Sequence, residues 1–270
     1  QNENAEVSKE QATVARKLQK PTSRTPIVPK PNVLLITLDT VRADHLGCYG
    51  AKGVATPTLD DLAQESVLFE RAIAQVPLTW PSHAVILTGL YPFQNGVQDF
   101  TGQPLDARFR TVAQAFKSSG YRTGAVISSF ALDQSWGLAR GFDSYDDAFS
   151  QEAYANRELG LVERRAGESV NHALAWLRNP STKPFFFWLH LYDAHSPYSP
   201  PEPFSNQYVE HPYDGEIAYV DHELARVISW LKAEKLYDKT TIVVVSDHGE
   251  SLGEHGEREH GFFVYNSTVH

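Results

Sequence analysis

The sequence predicts an α/β fold in which a doubly wound, mostly parallel sheet carries helices on both faces. The first observation is a set of four short, continuous apolar runs, each typical of a strand that is buried on both faces. The second observation is that helical patterns separate these runs. Strands that alternate with helices imply parallel pairing and a sheet covered on both sides.

The elements follow in order along the chain. The stretch 1–31 is polar and contains four prolines near its end, so we predict a flexible linker there and one globular domain over 32–270. The predicted strands are 32–39, 122–128, 184–191 and 240–246. The predicted helices run from Pro57 to Val67, from Thr111 to Lys117, from roughly Glu152 to Leu177 and from Ile217 to Leu236.

The composition is that of a globular enzyme. With 270 residues, 41% of them hydrophobic, the chain is long enough to bury one large core. A net charge of −9 argues against nucleic acid or an anionic membrane surface as a partner, because both require a basic patch. The sequence contains no stretch of 18 apolar residues, so no transmembrane segment is predicted. The single cysteine, Cys48, allows no internal disulfide. The sequence does not indicate an oligomeric state.

Polar residues follow the predicted strands. In an open α/β sheet, ligands bind beyond the carboxyl ends of the strands, so these positions are the first candidates for chemistry. They are Asp39 after the first strand, Ser128 and Ser129 at the second, His190, Asp193 and His195 at the third, and Asp247 and His248 at the fourth. Carboxylates and imidazoles together form a ligand set for a divalent cation. Taken singly, each residue is equally typical of a turn or a helix cap.

A second group of candidates is the segment Thr79-Trp80-Pro81-Ser82-His83, which precedes the apolar run AVILTG. The pattern places the Thr79 hydroxyl near a helix N-terminus, where backbone N–H groups favour an anion. A neighbouring metal would lower the pKa of this hydroxyl and make it a competent nucleophile. The alternative, that Thr79 simply caps the helix, stays open on the local sequence.

Four segments together resemble the sulfatase branch of the alkaline phosphatase superfamily, from about Pro31 to the last residue. They are PNVLLITLDTVRADHLGCYG at 31–50, PLTWPSHAVILTGLYP at 77–92, LHLYDAHSPYSPP at 189–201 and VVVSDHGESLGEHG at 243–256. The resemblance implies one divalent metal ion held by Asp39, Asp247 and His248, with Thr79 as both ligand and nucleophile. It also implies that His195 and His260 contact the transferred group or the leaving oxygen.

The chain departs from the sulfate-cleaving members of that family at its nucleophile. Those enzymes usually carry Cys or Ser followed by x-Pro-x-Arg, and the Cys or Ser is oxidised to formylglycine. Here Thr79 and His83 occupy these positions, so no formylglycine is expected. Where the family has a second Asp after the first ligand, this chain has Thr40. Lysines of the anion pocket correspond to Ser128 and His260.

These departures resemble the phosphodiesterase and phosphonate monoester hydrolase members of the superfamily. The expected function is metal-dependent hydrolysis of a phosphate or sulfate ester, with a phosphodiester or phosphonate favoured and with a small-molecule, lipid or glycan ester as substrate. We expect His195 to protonate the leaving oxygen, and His260, His83 and Ser128 to bind the anion. The metal is expected to be Mn, Zn or Ca.

Two alternative functions remain open from the sequence. One is a phosphoglycerol- or phosphoethanolamine-type transferase, and the other is a catalytically silent binding module with the same fold. The resemblance further implies export from the cytoplasm, and another core strand and a smaller C-terminal subdomain beyond His270.

Overall fold

A computed structural model describes residues 30–100, 103–150 and 162–270 of the chain. The chain divides into two units, Gln1–Lys30 and Pro31–His270, and the second contains the sheet. The linker predicted over 1–31 lies almost wholly outside the described residues, so it stays a prediction.

The second unit is built on a parallel sheet, as the sequence predicts. Its strands are β1 (Asn32–Leu38), β2 (Arg122–Val126), β3 (Ser144–Asp146), β4 (Phe185–Leu191) and β5 (Thr240–Ser246). Their order across the sheet is β3-β2-β4-β1-β5, and every pairing is parallel. The prediction missed β3, which pairs with the outer side of β2. Its three residues, Ser-Tyr-Asp, do not form the apolar run that identifies the other strands.

The helices of the described residues lie between the strands in sequence, except for the last, which follows β5. They are α1 (Pro57–Gln64), α2 (Thr79–Thr88), α3 (Pro92–Asn95), α4 (Val112–Ser118), α5 (Ala166–Leu177), α6 (Phe204–Gln207), α7 (Pro212–Ala233) and α8 (Asn266–Val269). Short 3-10 turns cover Ala43–His45, Gly47–Tyr49, Phe130–Leu132, Gln134–Trp136, Tyr237–Lys239 and Glu254–Gly256.

Four helix boundaries differ from the prediction by three residues or more. The helix predicted from roughly Glu152 begins at Ala166, because the chain before it follows the end of β2, where Phe130 N donates to Val162 O and Arg164 N donates to Ser128 O. Residues 151–161 lie outside the described residues. Helix α1 ends at Gln64, and Val67 beyond it is 80% exposed rather than part of the buried face. Helix α7 begins five residues before the predicted Ile217, with Pro212 at its first turn, where the missing N–H costs no hydrogen bond. It ends at Ala233, three residues before the predicted Leu236.

Apolar clusters cover both faces of the sheet, as a doubly wound fold requires. Side chains alternate along each strand, so Leu34 and Ile36 of β1 face one cluster and Leu35 faces the other. The first cluster packs against α1, α5 and α7, and the second packs against α2 and α4. The predicted fold class is confirmed.

Strand β5 differs from the expectation that each apolar run is buried on both faces. It lies at the edge of the sheet, paired with β1 alone among the described strands. Val243 and Val244 are therefore 42% and 37% exposed, although their sequence pattern resembles that of β4, whose residues are all buried. Periodicity does not distinguish an edge strand from a central one.

The strand order explains where the site forms. Strand β1 lies between β4 and β5, so the carboxyl ends of these three strands meet at one edge of the sheet. A crevice at this edge is where ligands bind in open α/β sheets. Within the described residues, no helix combines the length and apolar character needed to cross a bilayer.

Candidate active site

A buried cluster of potential metal ligands lies at this edge. The register pairs Leu38 with Ser246, so the residues that follow, Asp39 and Asp247, end adjacent strands. One potential ligand atom from each of Asp39, Asp247 and His248 lies within 4.8 Å of the others, and all three residues are buried. Strand pairing thus brings together the three metal ligands that the resemblance implies.

Each carboxylate of the cluster has one oxygen that accepts hydrogen bonds and one that has no hydrogen-bond partner within the protein. Oδ2 of Asp39 lies 3.1 Å from His190 Nε2, and Oδ1 has no partner. Oδ1 of Asp247 accepts hydrogen bonds from the backbone N–H groups of Thr40 and His248 at 3.2 and 2.8 Å, and Oδ2 has no partner. Buried oxygens without partners are costly unless something else binds them.

Electrostatics also indicate that a cation belongs here. Burial raises the pKa of Asp39 to about 8, although the charge of His260 opposes this increase. Burial, followed by the negative charge of Asp39, holds the pKa of Asp247 well above its usual value. A divalent cation would stabilise both carboxylates in their charged form. The donor set and its free oxygens therefore fit a divalent metal ion.

The protonation of His248 fits the same role. Its Nδ1 lies 2.9 Å from the carbonyl oxygen of Gly249, and only an N–H can donate to a carbonyl. Nε2 consequently carries the lone pair that a metal would use. Burial and the charge of His260 hold the pKa of His248 well below its usual value, which favours this neutral form.

The Thr79 hydroxyl belongs to the cluster rather than to a helix cap. Helix α2 begins at Thr79, and its N-cap residue is Leu78, which provides no capping side chain. Thr79 Oγ1 lies 3.4 Å from His248 Nε2. The same hydroxyl lies near enough to Asp39 to oppose the rise in the pKa of that carboxyl. The residue is 3% exposed. Its position next to the potential metal ligands matches the arrangement that a nucleophile would need.

Thr40 occupies the position where the resemblance leads one to expect a second Asp. Its side chain is not part of the ligand cluster. Its φ of +56° places it in the left-handed region, and Oγ1 donates to the carbonyl of Ala194 at 2.7 Å. Only its backbone N–H reaches the cluster, through Asp247.

His195 and His260 lie against each other beside the cluster of potential metal ligands. Their ring centroids are 5.0 Å apart, and the centroid of His260 is 4.4 Å from that of His248. Sequence reasoning missed Glu250, a fully buried acid whose Oε1 lies 2.8 Å from His260 Nδ1. The only signal for it is its position two residues after His248. Asp193, by contrast, is not part of this group, since Oδ1 accepts from the N–H of Ala166 at the start of α5.

The two histidines differ in protonation. Burial lowers the pKa of His195 to about 3, and its Nδ1 donates to Ser196 O at 2.6 Å, which leaves a lone pair on Nε2. Burial would also lower the pKa of His260, but the hydrogen bond to Glu250 and the charge of Glu250 raise it. His260 is thus the better proton donor and His195 the better acceptor.

His83 and Ser128, both predicted to bind substrate, each form a contact with a backbone carbonyl. His83 is fully buried, and its Nδ1 lies 2.7 Å from the Thr79 carbonyl oxygen and 3.4 Å from Asp247 Oδ2. Ser128 is also fully buried, and its hydroxyl donates to the carbonyl of His190. The contact of Ser128 favours a positioning role over the direct anion contact expected from the sequence. His83 Nε2 has no hydrogen-bond partner among the described residues, so its contact with the anion stays a prediction.

Comparison with known proteins places the chain in a family. The model of the sulfatase family matches residues 31–267. Human iduronate 2-sulfatase is 27% identical over an alignment that covers 84% of this chain and 56% of that protein. The arylsulfatase of Clostridium perfringens is 25% identical, with coverage of 87% and 68%. The chain thus spans little more than half of the human relative's length.

Solved structures with the same fold include two phosphonate monoester hydrolases. The enzyme of Agrobacterium radiobacter superposes with a TM-score of 0.76 at 23% identity, over 89% of this chain and 67% of that one. The enzyme of Silicibacter pomeroyi superposes with a TM-score of 0.71 at 23% identity, with the same coverage. At these identities, the likeness is one of fold.

Proposed function

Because the chain belongs to the sulfatase family, we propose that it acts as a metal-dependent ester hydrolase whose favoured substrate is a phosphodiester or a phosphonate monoester. The observation that carries this proposal is the Thr79 hydroxyl, which lies beside the ligand cluster with its Oγ1 3.4 Å from His248 Nε2. A threonine cannot yield the aldehyde of formylglycine, so the nucleophile in this proposal is an unmodified alcohol.

The proposed ligands of one divalent ion are Asp39 Oδ1, Asp247 Oδ2, His248 Nε2 and Thr79 Oγ1. The first two are the buried oxygens without partners, and the tautomer of His248 offers the third lone pair. Two carboxylates, one imidazole and one hydroxyl suit Mn²⁺ or Zn²⁺, with Ca²⁺ as the third candidate. When bound, the ion would lower the pKa of the Thr79 hydroxyl and neutralise negative charge on the phosphoryl oxygens.

In the first proposed step, Thr79 Oγ1, whose proton has passed to solvent, attacks phosphorus in line with the leaving group. The new bond joins Oγ1 to phosphorus, and the bond from phosphorus to the leaving oxygen breaks. His260 donates a proton from Nε2 to that oxygen while Glu250 stabilises the cationic imidazole.

In the second step, the now neutral His260 takes a proton from a water molecule. The water oxygen attacks phosphorus, and the bond from phosphorus to Thr79 Oγ1 breaks. The phosphate or phosphonate product leaves, Thr79 Oγ1 is again deprotonated and His260 is again protonated. The lone pair on Nε2 of His195 provides a hydrogen-bond acceptor next to His260 throughout both steps.

A panel of substrates tests the proposal. Purified protein with Mn²⁺, Zn²⁺ or Ca²⁺ would be assayed against bis-p-nitrophenyl phosphate, an aryl phosphonate monoester and p-nitrophenyl sulfate. We expect turnover of the phosphorus esters, its loss in Thr79→Ala and its partial retention in Thr79→Ser. The matched control is Thr88→Ala at the other end of α2, where the hydroxyl contacts only nearby backbone.

Other results of the same assay would support the alternatives. Sulfate esters are the second candidate, because the relatives with assigned activity include sulfatases, and turnover of p-nitrophenyl sulfate alone would overturn the preference for phosphorus. Transfer of the phosphoryl group to added glycerol would indicate a transferase. Absence of metal binding would favour a silent module. We also propose export, as the resemblance implies, and cell fractionation tests it.

A further inference from the structure

His190 is a fully buried histidine at the carboxyl end of β4 that has no role in the steps above. It lies between the end of β2 and the cluster of potential metal ligands. Its Nδ1 accepts a hydrogen bond from the backbone N–H of Ser128 at 3.2 Å. Since Nδ1 is the acceptor, the proton of the neutral ring is on Nε2, and Nε2 donates to Asp39 Oδ2 at 3.1 Å.

The surroundings fix this ring in one orientation. The hydroxyl of Ser128 donates to the backbone carbonyl of His190, and the ring of His83 packs edge-on at a centroid distance of 5.0 Å. Burial, assisted by the nearby charge of Arg164, lowers the pKa of His190 to about 3 and so favours the neutral ring. A single N–H donor is therefore held against one oxygen of Asp39.

The hydrogen bond limits how Asp39 can bind a cation. Because His190 occupies Oδ2 of Asp39, only Oδ1 of this carboxylate has no hydrogen-bond partner. Asp247 likewise has one oxygen without a partner, its Oδ2. Two carboxylates that each offer one oxygen, together with an imidazole, suit Mn²⁺ or Zn²⁺. Ca²⁺ takes six to eight oxygen ligands and commonly binds carboxylates through both oxygens.

We propose that His190 is a positioning residue that restricts Asp39 to one-oxygen coordination and thereby biases the site toward Mn²⁺ or Zn²⁺ over Ca²⁺. This inference rests on the proposed metal site. It assigns to Ser128 a role in holding His190.

Two substitutions at His190 separate the hydrogen bond from the loss of the ring. In His190→Gln the side-chain amide nitrogen can occupy the place of Nε2, whereas in His190→Asn it can occupy only the place of Nδ1. Mn²⁺ and Ca²⁺ affinities would be measured by calorimetry on both variants and the wild type. We expect His190→Asn to lose about 10–100-fold in Mn²⁺ affinity, the usual cost of removing a partner of a metal ligand, with a smaller change for Ca²⁺. His190→Gln should retain most of the Mn²⁺ affinity.

The outcomes distinguish this inference from the proposed function. A wild-type protein that binds neither ion contradicts the metal site itself. A wild type that binds Mn²⁺ while both variants match it, or lose affinity equally, overturns the role of His190. Thermal unfolding of the metal-free variants checks that they are folded.

A measurement on the wild type needs no variant. Nitrogen-15 spectra of histidine-labelled protein report which ring nitrogen of His190 carries the proton. We expect the Nε2–H form, and an Nδ1–H form would overturn the inference.

Discussion

Replacing Asp39 with asparagine is expected to stabilise the metal-free protein and to abolish its response to metal. The carboxyl is fully buried beside Asp247, and burial raises its pKa from the usual 3.8 to about 8. A carboxyl with a raised pKa in the folded state makes unfolding easier as the pH rises from about 4 to about 8, because the unfolded chain loses the proton first. Asparagine removes this effect and keeps a carbonyl oxygen for His190.

The magnitude follows from the size of that pKa change. At about 1.4 kcal/mol for each pKa unit, the change corresponds to an upper limit of about 5 kcal/mol at pH 8. Asparagine also loses part of the carboxylate's hydrogen bonding, so we expect about 2 kcal/mol, or an increase in Tm of about 4–8 °C. Metal at 100 times its Kd should stabilise the wild type by about 2.7 kcal/mol, which raises its Tm by about 5–10 °C. The same metal should change the Tm of the variant little.

Thermal unfolding at pH 8, with chelator and with Mn²⁺, measures both effects. The matched control is Asp146→Asn at the end of β3, where hydrogen bonds from His172 and Arg164 outweigh burial and lower the carboxyl's pKa. This control should lower Tm and keep the metal response. The reasoning would be refuted if the Asp39→Asn protein were less stable than the wild type in chelator. It would also be refuted if Mn²⁺ raised the Tm of the variant as much as that of the wild type. The metal-free wild type should also be less stable at pH 8 than at pH 5.5.

Three further predictions test other parts of the structure. Glu250→Gln removes the charge that supports the His260 imidazolium, so kcat for a phosphodiester should fall by about 100-fold while calorimetry shows Mn²⁺ binding retained; an unchanged kcat would contradict the proton-donor role. Gly124→Ala in β2 would place a Cβ 2.4 Å from the Trp176 ring, and we expect a loss of about 1–3 kcal/mol in the free energy of unfolding. Thr111→Ala removes the hydroxyl that caps α4, and a loss of about 1 kcal/mol is expected in the same measurement.

The fold was predictable where burial produces a repeating sequence pattern. Strands β1 and β4 are central, so both faces of each strand are buried and their sequences form continuous, largely apolar runs. Such a run identifies a buried strand without ambiguity. Strand β3 contains only Ser-Tyr-Asp and exists because β2 offers an open edge, which no local pattern reveals. The early start predicted for α5 failed for a similar reason, since tertiary hydrogen bonds at the end of β2 hold Val162 and Arg164 outside the helix.

The site was predictable to the extent that it lies at strand ends. The position of Asp39 and Asp247 after adjacent strands follows from topology, and the structure brings them together with His248. Which acid reaches His260 depends on the path of the loop after His248, so Glu250 carried no signal beyond its position.

Side-chain direction was the second limit of the sequence. His83 and Ser128 occupy positions near the cluster, but hydrogen bonds to the backbone of Thr79 and of His190 orient them. Residue type and spacing identify which groups are near a site. Partners in three dimensions decide which atom of each group is free to act.

The most direct test of the central claim is to trap the covalent intermediate on Thr79. Protein with Mn²⁺ would be mixed with an aryl phosphodiester, quenched within one turnover, digested and analysed by mass spectrometry. The account predicts a phosphoryl adduct on Thr79 that forms within the first turnover and is absent from Thr79→Ala. A metal-dependent turnover that persists in Thr79→Ala, with no adduct on this residue in the wild type, would contradict it.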